Sequence, residues 1–172
     1  MKQPLLTTKS KVEEYLQVAI GLSDRDFERF IREAQEFDLK PLLCDEFYFD
    51  MLENAQGDPF DKIIPGLKYE HDNKTYYHEG LEAVLSYFTY ARLILKGNVW
   101  STSHGLVVKK TPQSEPVGQA EKKDLYYSHR QDANKLFESV ANYMERLKIN
   151  YQDCSDCGES PDQDIVVRAT GW

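Results

Sequence analysis

The stretch that decides the fold is residues 81–116, LEAVLSYFTYARLILKGNVWSTSHGLVVKKTPQSEP. Its first half carries Leu81, Val84, Leu85, Phe88, Ala91, Ile94 and Leu95, spaced three and four apart. That spacing predicts a long, largely buried helix from about Glu79 to Lys96, closed by Gly97-Asn98. The second half changes period. From Val99 to Thr111, β-branched residues flank a Ser-Thr-Ser-His-Gly turn, which predicts a short hairpin or extended arm over about 98–112. A buried helix that runs straight into a strand-forming insertion sets the reading of everything around it.

Working outward, residues 23–52, SDRDFERFIREAQEFDLKPLLCDEFYFDML, predict two helices with a tight junction. Ser23 is an N-cap with Asp26 three residues on, and Phe27, Phe30, Ile31, Ala34 and Phe37 form one apolar stripe. Pro41 disfavours helix in the residue before it and suits the first position of a second helix, in which Leu43, Phe47, Met51 and Leu52 share a face. Gly57, Asp58 and Pro59 end that helix. Residues 57–77 read as a Gly-, Pro- and Asp-rich loop pinned by Ile63 and Ile64. Pro112 to Gly118 is a polar linker, and Leu125, Ala133, Leu136, Phe137, Val140, Met144 and Leu147 mark a final helix of about 25–30 residues. The expected architecture is mainly α: a four-helix domain over 1–150 with the arm inserted before the last helix, and a tail or docking segment over 151–172.

Composition narrows the function classes. The 172 residues fit one domain, and 41% hydrophobic with 29% charged residues supports a core. A formal net charge of −8 disfavours a protein that wraps a duplex or coats a membrane. The charge is uneven: residues 41–80 hold three basic and nine acidic side chains, whereas 92–111 hold Arg92, Lys96, Lys109 and Lys110 and no acid. No apolar run approaches the length of a membrane span, and the start MKQPLLTTKSK has no apolar signal core. Three cysteines without an export signal predict free thiols.

Chemistry is sparsely signalled. Cys154 and Cys157 have the spacing of half a zinc site or of a redox pair, with Cys44 and the histidines at 71, 78, 104 and 129 as further ligand sources. None of these forms a second closely spaced pair, so no metal or cofactor is expected. A small cytosolic regulatory or metal-binding module using Cys154 and Cys157 is the alternative from another class. Ser101, Ser103 and His104 sit in a turn without a nucleophile elbow, and Asp45, Glu46 and Asp50 read as a solvated acidic face. Phosphate-cradling loops, dinucleotide fingerprints and H-E-x-x-H are absent from the sequence. The expectation is a protein that is not an enzyme. Nineteen Tyr and Phe residues make subunit interfaces plausible occupants of the aromatic surface.

The two quoted segments, followed by a last long helix, resemble the head-tail connector, or adaptor, proteins of tailed bacteriophages. The resemblance covers roughly residues 20–148, and its more distinctive part is Tyr90-Ala91-Arg92, Val99, Thr102, Gly105 and Val107. It implies a virion structural protein made in the host cytoplasm and placed at the neck, a ring of typically twelve subunits under the portal protein. That ring would contact tail or further adaptor proteins and let DNA pass without specific binding. On that footing Val99, Trp100, Leu106, Val107 and Val108 are expected as arm contacts with other subunits. Arg92, Lys96, Lys109 and Lys110 are expected to face a partner or the DNA, the alternative being a positive patch matched to an acidic neighbour.

Overall fold

The computed structural model describes residues 3–18, 23–97, 99–102, 105–108 and 117–152. Among them the chain is mainly helical, with six α-helices and two separate two-stranded antiparallel hairpins. In chain order these are α1 (Lys9–Tyr15), α2 (Asp24–Ala34), α3 (Asp45–Glu53), α4 (Phe60–Ile63), β1 (Leu67–His71), β2 (Lys74–His78), α5 (Gly80–Lys96), β3 (Val99–Thr102), β4 (Gly105–Val108) and α6 (Gln119–Arg146).

The core is built on α5 and α6, the most extensively packed pair. They run antiparallel: Tyr90 meets His129 near one end, and His78, just ahead of α5, meets Tyr143 near the other. Leu81, Val84, Leu85 and Phe88 of α5 share a core with Ala133, Phe137, Val140 and Met144 of α6. These are positions at helical spacing, and each is buried. The expected long helix and final helix therefore stand, and Gly97 closes α5 with its amide on the Leu93 carbonyl, 2.7 Å away.

Helix α2 begins as its sequence directs. The Ser23 hydroxyl accepts from the Asp26 amide at 3.2 Å and donates to the Asp26 carboxylate at 2.6 Å, a cap of the kind that contributes about 1 kcal/mol. Phe27, Phe30, Ile31 and Ala34 are buried. Phe37, expected on the same stripe, is 62% exposed. The reason is a π-helical turn over Gln35–Leu39, in which the Lys40 amide reaches back to the Gln35 carbonyl. One extra residue in the turn shifts the helical phase, so Asp38 takes the inward place and Phe37 points out. Pro41 then sits in a 3-10 turn, Lys40–Leu42, and the following helix starts at Asp45 rather than at the proline.

Two further corrections concern segments without strong apolar periodicity. Residues 9–15 form α1, capped by the Thr8 side chain on the Lys11 amide. The expected loop 57–77 contains α4, β1 and most of β2, and Ile63 and Ile64 do bury into the core. The β1–β2 turn is Asp72-Asn73, both at positive φ, with His71 paired to Lys74. Asp and Asn tolerate that conformation better than most residues, which suits a two-residue hairpin loop. At the other end of the domain Tyr151 is 5% exposed and its carbonyl accepts from the Cys44 amide at 2.7 Å. Tyr151 thus belongs to the main core; residues 153–172 of the expected tail lie outside the described residues.

Candidate functional site

The expected arm forms. β3 and β4 pair in antiparallel register, Val99 with Val108, Trp100 with Val107, Ser101 with Leu106 and Thr102 with Gly105. Its backbone pairing is internal, and among the described residues no helix packs extensively against it. A two-stranded ribbon of this kind is marginal on its own. Its two outer edges carry backbone groups that can pair with another chain.

The arm issues from an anchored base. Three residues before Val99, Lys96 places its ammonium 2.5 Å from the Glu33 carboxylate of α2. One turn earlier, Arg92 donates from Nε to Asp38 at 2.5 Å and lies 3.6 Å from Glu33. Arg130 of α6 donates to the other Asp38 oxygen and to the Tyr126 hydroxyl at 3.2 Å. Asp38 is thus held by two guanidinium groups from two helices, with its own side chain 1% exposed. Burial pushes the Arg130 pKa down, and the hydrogen bond and charge of Asp38 more than offset it, so the net direction is up. Aromatic faces complete the lining: Arg92 lies over Phe37 and Arg130 over both Phe88 and Tyr126, each 5.4 Å from the ring centre. Exposed Phe37 and Tyr127 flank this network, Tyr127 through its edge-on contact with Tyr126.

Arg92, expected to face a partner or the DNA, makes its described contacts within the subunit. Its side chain is 11% exposed, and its charge is spent inside the subunit on Asp38 and Glu33. Lys96 is half-exposed and paired with Glu33. For both residues the paired acids, Glu33 and Asp38 for Arg92 and Glu33 for Lys96, lie on the same chain. Lys109, Lys110, His104, Cys154 and Cys157 lie outside the described residues, and for Val99, Trp100, Leu106, Val107 and Val108 the register above is their placement. Glu33, Asp38 and Arg130 were not singled out by sequence. Asp38 is 54 residues from Arg92 and 92 from Arg130, so no local window joins them.

The remaining candidates fall elsewhere. Among the described residues no group of three or more His, Cys, Asp or Glu side chains could hold a metal ion, and no helix is long and apolar enough to cross a membrane. Asp45 is exposed, 3.7 Å from Lys40. His78 is 1% exposed, with neither ring nitrogen hydrogen-bonded, and burial lowers its pKa to about 4. It is enclosed by Tyr69 and Tyr143 at 6.0 and 4.5 Å between ring centres, which is the surrounding of a packed core histidine.

Compared with known families, residues 39–163 match a model described as a family of unknown function, DUF6712. The chain belongs to that family. No curated protein and no solved structure matches it. The DUF6712 region contains α5, the arm and α6, and hence Arg92, Lys96 and Arg130. Their acidic partners Glu33 and Asp38 come from the segment ahead of it. In this DUF6712 chain the β3–β4 hairpin follows directly on the end of α5 that Arg92 and Lys96 tie to Glu33 and Asp38.

Proposed function

We propose that this protein is a structural subunit of the head-tail connector type, which assembles through its arm into a ring beneath a portal and presents a surface to tail or adaptor proteins. The observation that carries the reading is the β3–β4 hairpin. It leaves the domain between the two most closely packed helices, makes its backbone pairing within itself, and starts from a base fixed by Glu33, Asp38, Arg92, Lys96 and Arg130. A rigid base with a protruding ribbon suits strand addition or hooking between subunits, since unpaired strand edges gain hydrogen bonds when a neighbour supplies them. Head-to-tail contacts of that kind close into rings when the rotation allows. Exposed Phe37, Phe49, Tyr77 and Tyr127 supply aromatic surface of the sort enriched in interface cores.

On this reading the helices are the connector bundle, the place of action is the virion neck, and the net charge of −8 suits a conduit along which DNA slides without sticking. The test is the native mass of the full chain, alone and with a portal ring, against a variant in which residues 99–110 are replaced by a short Gly-Ser link. The full chain forms closed particles; the variant keeps its helical circular dichroism and stays monomeric. Rings formed equally well by the variant, or a full chain that stays monomeric even with the portal, would overturn the proposal.

A further inference from the structure

Residues 5–8 and the first turn of α1 form one side of a cavity of ≈ 440 Å³, and α4, the residues flanking it and the first turn of α5 form the other. That is the size of a small-molecule site. Its walls are held by hydrogen bonds of the fold itself. The Gln35 side chain, in a residue 1% exposed, accepts from the Leu6 amide and donates to the Pro4 carbonyl, both at 3.0 Å. The Thr8 hydroxyl accepts from the Lys11 amide at 3.3 Å, and the Glu82 amide donates to the Ile64 carbonyl at 2.9 Å. A ligand entering walls fixed in this way has little ordering cost to meet.

The lining has an apolar part, from Leu5, Ile64 and Pro65, and a charged part, from Lys11, Asp61 and Glu82. Glu82 is partly buried, and its carboxylate makes no hydrogen bond or ion pair with another described residue. Burial raises its pKa, the charge of Lys11 lowers it and that of Glu14 raises it. Lys11 is itself drawn to Glu14, 3.4 Å away, so the cavity keeps an excess of negative charge. Thr7 also lines it. This residue is 2% exposed, yet its hydroxyl has no hydrogen-bond partner among the described residues, a costly state for a buried polar group. Thr7 borders a second cavity, of ≈ 430 Å³, but there the acids are matched: Lys9 lies 3.2 Å from Asp24 and 4.0 Å from Glu13, and Arg32 lies 4.0 Å from Glu28.

We propose that the ≈ 440 Å³ cavity binds a short free primary amine, its ammonium head held by the Glu82 and Asp61 carboxylates and donating to the Thr7 hydroxyl, its alkyl stem on Leu5, Ile64 and Pro65. The charge balance excludes an anion. A bare divalent cation asks for six or more oxygen ligands and gains nothing from the apolar wall, whereas an alkylammonium uses both parts of the lining. The site is separate from the arm and does not depend on assembly.

The test is calorimetric titration of the full chain with 1,4-diaminobutane at physiological ionic strength. One saturable site per chain is expected, with a Kd below about 1 mM, and 1-butanol and butyrate do not bind. Glu82→Gln weakens binding about tenfold and Thr7→Val about fivefold, the losses expected for a charged and a neutral hydrogen bond. Asp61→Asn, at an exposed position, weakens it as well and covers the case in which Glu82→Gln fails to fold. Glu70→Gln, at an exposed acid of β1 away from the cavity, leaves binding unchanged. Thr7→Val has an equal or higher urea midpoint, because it removes an unpaired hydroxyl. Absence of saturable binding overturns the site. Equal weakening by Glu70→Gln and Glu82→Gln reduces it to diffuse attraction by an acidic surface and overturns it too. A lower midpoint or unchanged binding for Thr7→Val shows that the hydroxyl does not serve the ligand and overturns the placement. Tighter binding of Nα-acetyl-lysine amide than of the diamine assigns the cavity to a protein lysine and overturns the free-amine reading.

Discussion

His78 shows what a single buried side chain does to the pH response of this protein. Its ring is packed between Tyr69 and Tyr143 without a hydrogen bond, so protonation would place an uncompensated charge in the core. Charged groups that act on this aromatic cluster include Arg146, whose guanidinium lies 3.8 Å from the Tyr76 ring centre, and Lys62, Asp58 and Asp61, which act on Tyr143. Burial holds the folded pKa at about 4, against an unfolded value near 6.5. Between those values the unfolded chain binds the additional proton, so stability rises with pH from about 4 to about 6.5 and is level above. The loss on acidification is on the order of 2–3 kcal/mol. His129 is also lowered by burial and acts with the same sign. Urea midpoints measured between pH 4 and 8 check this: His78→Phe, which keeps an aromatic ring between the two tyrosines, flattens most of the slope and leaves the pH 7.5 midpoint equal or higher. An unchanged slope would remove His78 from the account.

At the scale of elements, the β1–β2 hairpin is locked to α5 by two glycines in contact. Gly66 and Gly80 both have positive φ, at 81° and 79°, and a Cβ on Gly80 would overlap the backbone of Ile64, Pro65 and Gly66. Gly80→Ala therefore combines a left-handed backbone with a clash against main chain that has no rotamer to give. It lowers stability by about 2 kcal/mol or more. Gly118→Ala, at φ −60° with open space around it, changes the denaturation midpoint by less than about 1 kcal/mol and serves as the control. The same hairpin shows where sequence reading loses its grip. α5 and α6 were legible because Leu81 to Phe88 and Ala133 to Met144 keep a helical apolar period, and the arm was legible from its β-branched residues. LKYEHDNKTYYH offers no such run: its inward positions are Leu67, Tyr69, Tyr76 and His78, and the one local cue was Asp72-Asn73 at a two-residue turn. Phe37 misled for a different reason. The π-helical turn shifts the helical phase by one residue, a tertiary outcome that favours burying Asp38 against two arginines over continuing the stripe.

For the whole molecule, Asp38 is the point at which α2, α5 and α6 are tied together, and it separates stability from placement of the arm. Asp38→Ala leaves Arg92 and the partly buried Arg130 without their shared counter-charge, an arrangement that costs about 3–5 kcal/mol when an ion pair is broken from one side. The denaturant midpoint drops accordingly, with the slope unchanged if the fold remains cooperative. Replacing the network by apolar residues of similar volume, Asp38→Leu with Arg92→Met and Arg130→Met, removes the desolvation cost along with the attraction and restores stability to near the starting value. Lys96 then holds the end of α5 through Glu33 alone, and the orientation of the hairpin base is no longer set by a directional, two-sided pair. The triple variant is therefore expected to fold as stably as the original chain yet assemble several-fold less well, read as the fraction of particles at a fixed protein concentration. Full assembly by the triple variant would show that the ion pairs serve stability alone and that the arm finds its place without them.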